Sequence, residues 1–200
     1  MSHPVLDTAP ACIALPAPQL PAATLEQALK HRRSTRAFAA QPLSLELLSG
    51  LLWAAFGVNR HDSQGRTAPS AHNWQEIDVV AALPTGAYRY EARSHRLNLI
   101  VAQDLRAASG VQDFVASAPL NLVYVADFAR MHEAKPEERE FLAGADAGFV
   151  AQNVYLFCAA SGLAAVVRGL VDRRRLAAAL QLKATQRITL AQTVGHPLPA

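Results

Sequence analysis

What is scarce in this chain removes more possibilities than what is plentiful. It has two cysteines, Cys12 and Cys158, and no C-x-x-C spacing, so neither a disulfide framework nor zinc or dithiol chemistry is expected. Cys158 falls inside an apolar run and reads as packing. The seven histidines contain no H-x-x-x-H pair, which argues against a metal centre. Aromatic residues make up 6%, too few to interleave with basic residues as nucleic-acid grooves require. The net charge of +3 is scattered rather than striped, so a small anionic ligand fits better than a polyanion. G-x-G-x-x-G and G-x-x-x-x-G-K-[ST] are missing, which excludes an ordinary Rossmann or P-loop protein. G-x-S-x-G is missing too, and with it the nucleophile elbow.

Hydrophobic residues make up 51% and charged residues 18% of the 200 positions. That is ample material for one buried core and too little charge for disorder. Residues 24–200 read as one domain. Residues 1–23 carry Pro4, Pro10, Pro16, Pro18 and Pro21 and read as an extended arm lying along a neighbouring surface. They have neither a basic start nor a continuous apolar stretch, so no secretory signal is expected and the cytoplasm is the expected location. No nucleic-acid or membrane partner is expected.

Thr24 followed by Gln27 is a capping-box pattern and opens a short helix to Arg32. Ser44 caps a second helix that ends at Gly57. A long polar loop spans 59–74, with Arg66, Ser70, His72 and Asn73 able to read a polar ring edge or equally to serve as turn residues. Short β-type runs follow at 77–83, 87–90 and 97–101, the first two joined by Pro84-Thr85-Gly86. Short helical pieces are expected at 104–109 and 112–116, and 120–125 reads as a central strand. Residues 131–140 read as a solvated helix or cover. A long helix over 141–160 carries Ala143, Gly144, Ala145, Ala147 and Gly148, which suit either a core or the seam of an oligomer. Residues 163–170 form a strand interrupted at Arg168-Gly169, Asp172 caps a helix to Leu182, and 187–194 is the last strand.

Arg32-Arg33-Ser34-Thr35-Arg36-Ala37-Phe38 is the richest stretch. Guanidinium forks match phosphate oxygens two at a time, and hydroxyls add donors. It reads as an anion grip, or as a solvated surface at a helix end. Phe38 is expected to bury its ring beneath this loop.

Four segments in order, 32–38, Arg-Thr-Ala-Pro-Ser-Ala-His-Asn at 66–73, Gly-Ala-Tyr-Arg-Tyr at 86–90 and Gly-Leu-Ala-Ala-Val-Val-Arg-Gly-Leu-Val-Asp at 162–172, resemble the FMN-dependent nitroreductase family. The resemblance covers about residues 24–197. It is closest to the branch of azoline-oxidising dehydrogenases. It implies an α+β fold, an antiparallel-rich sheet wrapped by helices, in an intertwined homodimer with FMN in interface clefts. Arg32, Arg33, Ser34 and Arg36 then match the segment holding the FMN phosphate, ribityl chain and pyrimidine side. Pro69, Ser70, Ala71 and Asn73 match the loop laid on the flavin from the other subunit, and Gln112 falls near its pyrimidine edge. Val167, Arg168, Gly169 and Leu170 match the segment facing the ring, with the Gly169 N–H toward N5 and Arg36 and Arg168 as candidate positive charges near N1. Two departures stand out: no basic residue follows His196, which leaves phosphate closure to Arg33, Arg66 or another group, and Val167 replaces the usual Pro. The implied activity is hydride transfer from NADPH or NADH to a nitroaromatic or quinone, with no catalytic side chain assigned except His72 as a candidate proton source. The alternatives are a flavin-dependent dehydrogenase or oxidase of a cyclised peptide or small metabolite, and a flavin-binding protein without turnover.

Overall fold

The computed structural model describes residues 9–198. Its frame is a seven-stranded sheet in the order β1-β6-β5-β4-β7-β9-β8, with every neighbouring pair antiparallel. The strands are β1 (Cys12–Ala14), β4 (Ile77–Leu83), β5 (Gly86–Glu91), β6 (Arg96–Val101), β7 (Leu120–Asp127), β8 (Ala164–Arg168) and β9 (Gln186–Gly195). A separate two-stranded ribbon, β2 (Val58–Arg60) with β3 (Gly65–Arg66), opens the polar loop. The fold is α+β, as the resemblance implied.

The helices form where the sequence placed them, because local caps and tertiary burial agree. α1 (Leu25–His31) has a complete capping box, in which the Thr24 side chain accepts from the Gln27 amide and the Gln27 side chain from the Thr24 amide. α2 (Leu45–Phe56) is capped by Ser44 and ends at Gly57. α4 (Pro136–Ala160) starts five residues earlier than its apolar pattern, since Pro136 stands at its first turn with Glu137 and Glu138 behind it. α3 (Phe114–Ser117) is a single turn. α5 (Arg173–Ala179) is shorter than expected: Gln181 adopts a left-handed φ of 54° and Leu182 N–H bonds back to the Ala177 carbonyl, which closes the helix before Leu182.

The main core lies where α2 and α4 cover one face of the sheet, with Leu51, Leu52, Tyr88, Leu122, Tyr124 and Val154 inside. A smaller cluster on the other face joins Val123, Val125 and Ile188 to Leu176 and Leu180 beside α5. β7 is fully buried through Ala126 and sits between β4 and β9, which explains its unbroken apolar run.

Of the arm at 1–23, residues 1–8 lie outside the described residues. The rest runs along this chain's own sheet: β1 pairs with β6, and the Leu99 amide bonds the Ala11 carbonyl. Beyond β1, Ser49 Oγ donates to the Pro16 carbonyl at 2.6 Å, while Gln19 passes directly over Gly50. A Cβ at Gly50 would strike that backbone, so this mid-helix glycine is needed for close approach.

Candidate flavin-binding site

The Arg-rich segment is not a free surface loop. Arg32 caps α1 through its own amide, and Lys30, His31, Arg32 and Arg33 gather at that helix's carbonyl end, where cations are favoured. The segment then runs beside β8, the last strand of the sheet. Thr35 N–H bonds the Ala165 carbonyl at 2.9 Å, Ala39 N–H bonds the His196 carbonyl at 2.9 Å, and Phe38 bridges Pro197. Phe38 is buried with Ala118, Ala164 and Val166 and packs at 5.5 Å on Phe114. The ring anchors the loop, as expected.

Tyr155 of α4 joins this segment to β8. Its hydroxyl accepts the Val167 N–H at 2.8 Å and lies 2.8 Å from Ser34 Oγ. The Arg32 guanidinium lies 5.3 Å from the centre of the Tyr155 ring, a cation–π distance. Sequence reasoning missed Tyr155. The available signal was the one tyrosine of a mostly apolar helix, since a phenol in a buried setting needs a partner for its hydroxyl.

Between these parts lies a cavity of about 330 Å³ lined by Lys30, Arg32, Arg33, Thr35, Tyr155 and Ala165, among others. Its positive charge comes from side chains, because the nearby helix end is carbonyl-rich. Arg33, Ser34 and Arg36 are exposed, so their donors are open to a ligand. Cys158 also lines it, buried, with its thiol pushed well above the ordinary range by desolvation; it is not a nucleophile.

At the end of β8 the side chains turn alternately, and beyond it the chain comes to the surface. Val167 is half-buried, Gly169 and Leu170 are exposed, and nothing would lie within 4 Å of a Cβ at Gly169. Arg168 points inward. It is 4% exposed, and its guanidinium donates to Thr193 Oγ1, the Ser109 carbonyl and Asn121 Oδ1 at 3.1, 2.8 and 3.0 Å. Burial lowers its pKa to about 10. This departs from its expected place beside the flavin ring: Arg168 fastens β8 to β9 and to the turn at Ser109, which leaves Arg36 as the candidate cation. Gln112 precedes α3, and its Oε1 is buried without a hydrogen-bond partner among the described residues.

The second expected segment lies elsewhere in the same chain. Pro69, His72 and Asn73 are exposed, and Ser70 and Ala71 half-buried. Three residues here take left-handed φ values, His72 at 48°, Asn73 at 55° and Gln75 at 49°. Asp146 of α4 holds the turn by accepting the Ala71 N–H at 2.8 Å, and Ser70 Oγ accepts the Gln75 N–H. His72 stacks on Trp74 at 4.6 Å. Arg66 turns away from the Arg32 cavity into another one, with Nε on Gln75 Oε1 at 2.9 Å. Within one chain, then, the grip and the β8 segment are together and the 69–73 turn is separate.

Behind this turn sits Glu76, fully buried, with neither carboxylate oxygen hydrogen-bonded among the described residues. Burial first, and then the neighbouring Asp146, raise its pKa from 4.5 to about 7, against its own backbone contact and Arg130.

The α+β scaffold thus carries an arginine-lined cavity at its sheet edge. Comparisons with known proteins identify the family. The sequence model of the nitroreductase family matches residues 29–196. A Methanocaldococcus jannaschii protein assigned as a nitroreductase is 31% identical over 177 residues, 83% of this chain and 88% of its own. The crystal structure of a Ralstonia eutropha protein, also assigned as a nitroreductase, superposes with a TM-score of 0.93 at 47% identity, covering 100% of this chain and 96% of that one. An NADPH:FMN oxidoreductase of Vibrio harveyi complexed with NAD⁺ shares the fold, with a TM-score of 0.64 at 21% identity over 88% of this chain and 69% of that one. The chain belongs to the nitroreductase family. Membership makes it an oxidoreductase that works with FMN and a reduced nicotinamide.

Proposed function

We propose that this chain binds FMN with its phosphate on Arg32, Arg33 and Ser34 and its pyrimidine side near Arg36, and that two copies of the chain complete each cleft. The observation that carries the reading is the joining of the Arg32–Phe38 segment to β8 through Tyr155 and the Thr35 amide. It brings two segments more than a hundred residues apart to one basic cavity. The residues fit the group: the cations are open, Gly169 leaves a clear surface, and the buried Gln112 Oε1 lacks a donor.

Bound there, FMN supplies two-electron transfer between a reduced nicotinamide and a small oxidised acceptor of nitroaromatic or quinone type. The protein's own part is to bind and bias. Arg36 places a fixed positive charge where negative charge gathers on reduction, which favours the reduced form. Tyr155 and Ser34 hold the segment that carries this charge. Val167, Gly169 and Leu170 supply the wall for the ring, and Pro69, Ser70, Ala71 and Asn73 of a second copy cover it. His72, exposed on that turn, is placed to exchange protons with solvent.

The second copy docks on α4. Phe141 is 75% and Phe149 48% exposed on that helix, and a Cβ at Gly144 or Gly148 would meet nothing within 4 Å. Such an apolar, small-residue stripe suits another helix at short range. No described helix is long and apolar enough to cross a membrane; the proposed setting is the cytoplasm.

Arg32→Ala and Arg36→Ala test the grip. Each is expected to weaken FMN retention by at least tenfold, about 1.4 kcal/mol, read by flavin absorbance after dialysis, with the melting temperature of the apoprotein unchanged. Full flavin content in both variants would remove the assignment.

A further inference from the structure

A second cavity, of about 320 Å³, opens between the β4–β5 pair and the base of the 66–75 loop. Arg66, Arg89, Arg93 and Arg130 line it together with the carboxylates of Asp78 and Glu91. None of these residues belongs to the Arg32 cavity. Four guanidiniums face two carboxylates, and both carboxylates are engaged. Asp78 Oδ1 pairs with Arg130 at 2.8 Å, and Glu91 Oε1 accepts the Arg93 backbone N–H at 3.3 Å.

Arg66 is the informative member. Its Nη1 is buried without a hydrogen-bond partner among the described residues, and its guanidinium lies 5.4 Å from the centre of the Phe56 ring. Desolvation lowers its pKa, Arg93 and Arg130 lower it further, and Glu91 and Tyr90 oppose them. A half-buried cation with a spare buried donor and like-charged neighbours is stabilised by an added anion. Arg89 and Arg93 are exposed, and their guanidiniums make no ion pair or hydrogen bond among the described residues, so they are free to close on one. Asp78 Oδ2 is also buried without a donor. An occupant that satisfies the whole cavity therefore carries an anion for three arginines and a hydroxyl for Asp78. Cations converging from three residues suit a tetrahedral dianion better than one planar carboxylate.

We infer that this cavity is a second ligand site, separate from the flavin cleft, that takes a small hydroxylated phosphate monoester. Arg66, Arg89 and Arg93 hold the phosphate, and Asp78 accepts a hydroxyl. The volume is at the small end of ligand pockets, which limits the occupant to a few carbons beyond the phosphate.

Titration calorimetry of the flavin-loaded full chain with glycerol 3-phosphate, at fixed ionic strength, tests this. Saturable binding of one molecule per chain is expected. The double variant Arg89→Ala/Arg93→Ala should weaken it at least tenfold with flavin absorbance and melting temperature unchanged, whereas Arg33→Ala should leave it as in the parent. No saturable binding, or equal binding by the double variant, overturns the site. Loss of flavin from the double variant overturns its separateness and assigns the cavity to the flavin cleft. Inorganic phosphate binding as tightly as glycerol 3-phosphate overturns the role of Asp78. The contrast between the double variant and Arg33→Ala can be read on a protein holding no flavin, so failure of the FMN reading is distinguishable from failure of this one.

Discussion

At Tyr155 one phenol oxygen serves partners 121 and 12 residues away in sequence, Ser34 and Val167. The Val167 amide donates to that oxygen, and the Ser34 hydroxyl shares a hydrogen bond with it in which either oxygen can be the donor. Tyr155→Phe keeps the ring under Arg32 but strands the Val167 N–H, a loss of about 1–3 kcal/mol. Chemical denaturation should show that loss, and the variant should release FMN faster than the parent. Glu76 gives a test by pH. Below pH 4.5 folded and unfolded chains both hold its proton; between pH 4.5 and about 7 only the folded chain does, so stability falls as pH rises and levels off above about 7. The loss is on the order of 3 kcal/mol over that window. Glu76→Gln should flatten the pH dependence of the denaturation midpoint there, with Asp146 and Arg130 left as the charged neighbours. An unchanged slope would show that the carboxyl ionises at its ordinary value. Neither residue was legible in the sequence. A tyrosine and a glutamate beside apolar runs are ordinary by spacing, and their roles arise from burial and from partners that only the fold supplies.

The elements themselves were largely legible, since their local signals and their tertiary burial agree. Thr24 and Gln27 close the capping box of α1, and Ser44 and Gly57 bound α2. The errors fell where tertiary contact decided. β1 was hidden among prolines because a three-residue edge strand has no period to read, and α5 stopped early at the left-handed Gln181. α4 posed the opposite problem. Its small residues fitted a core or a seam equally, and the structure divides them: Ala143 and Ala147 are buried under the sheet, while Gly144, Ala145 and Phe149 face out. Phe149→Asp should therefore leave the fold intact but yield a monomer in sedimentation experiments, and that monomer should lose FMN because the 69–73 turn of a second copy is gone. A dimer of parental stability would place the interface elsewhere.

At the scale of the whole molecule, the sheet edge explains why order along the sequence carried the site. β8 ends the sheet, the Arg-rich segment covers its open side, and the last strand β9 returns beside it to bring His196 and Pro197 under Phe38. The motifs at 32–38 and 162–172 meet because the topology closes the sheet there. Arg168 belongs to the same motif, and strand alternation turns its side chain into the interior toward Thr193 and Asn121, a direction that the motif alone does not show. The Arg66 segment and the Gly-x-Tyr-x-Tyr strand form a different cavity on the same chain, a division that a linear list of motifs does not show. The central claim is that this chain carries FMN reducible by a nicotinamide. The direct measurement is the visible absorption spectrum of the purified protein before and after anaerobic addition of NADPH or NADH. Flavin bands that bleach on addition are the predicted result. Bands that persist with both nucleotides, or a colourless protein that takes up no added FMN, would contradict it.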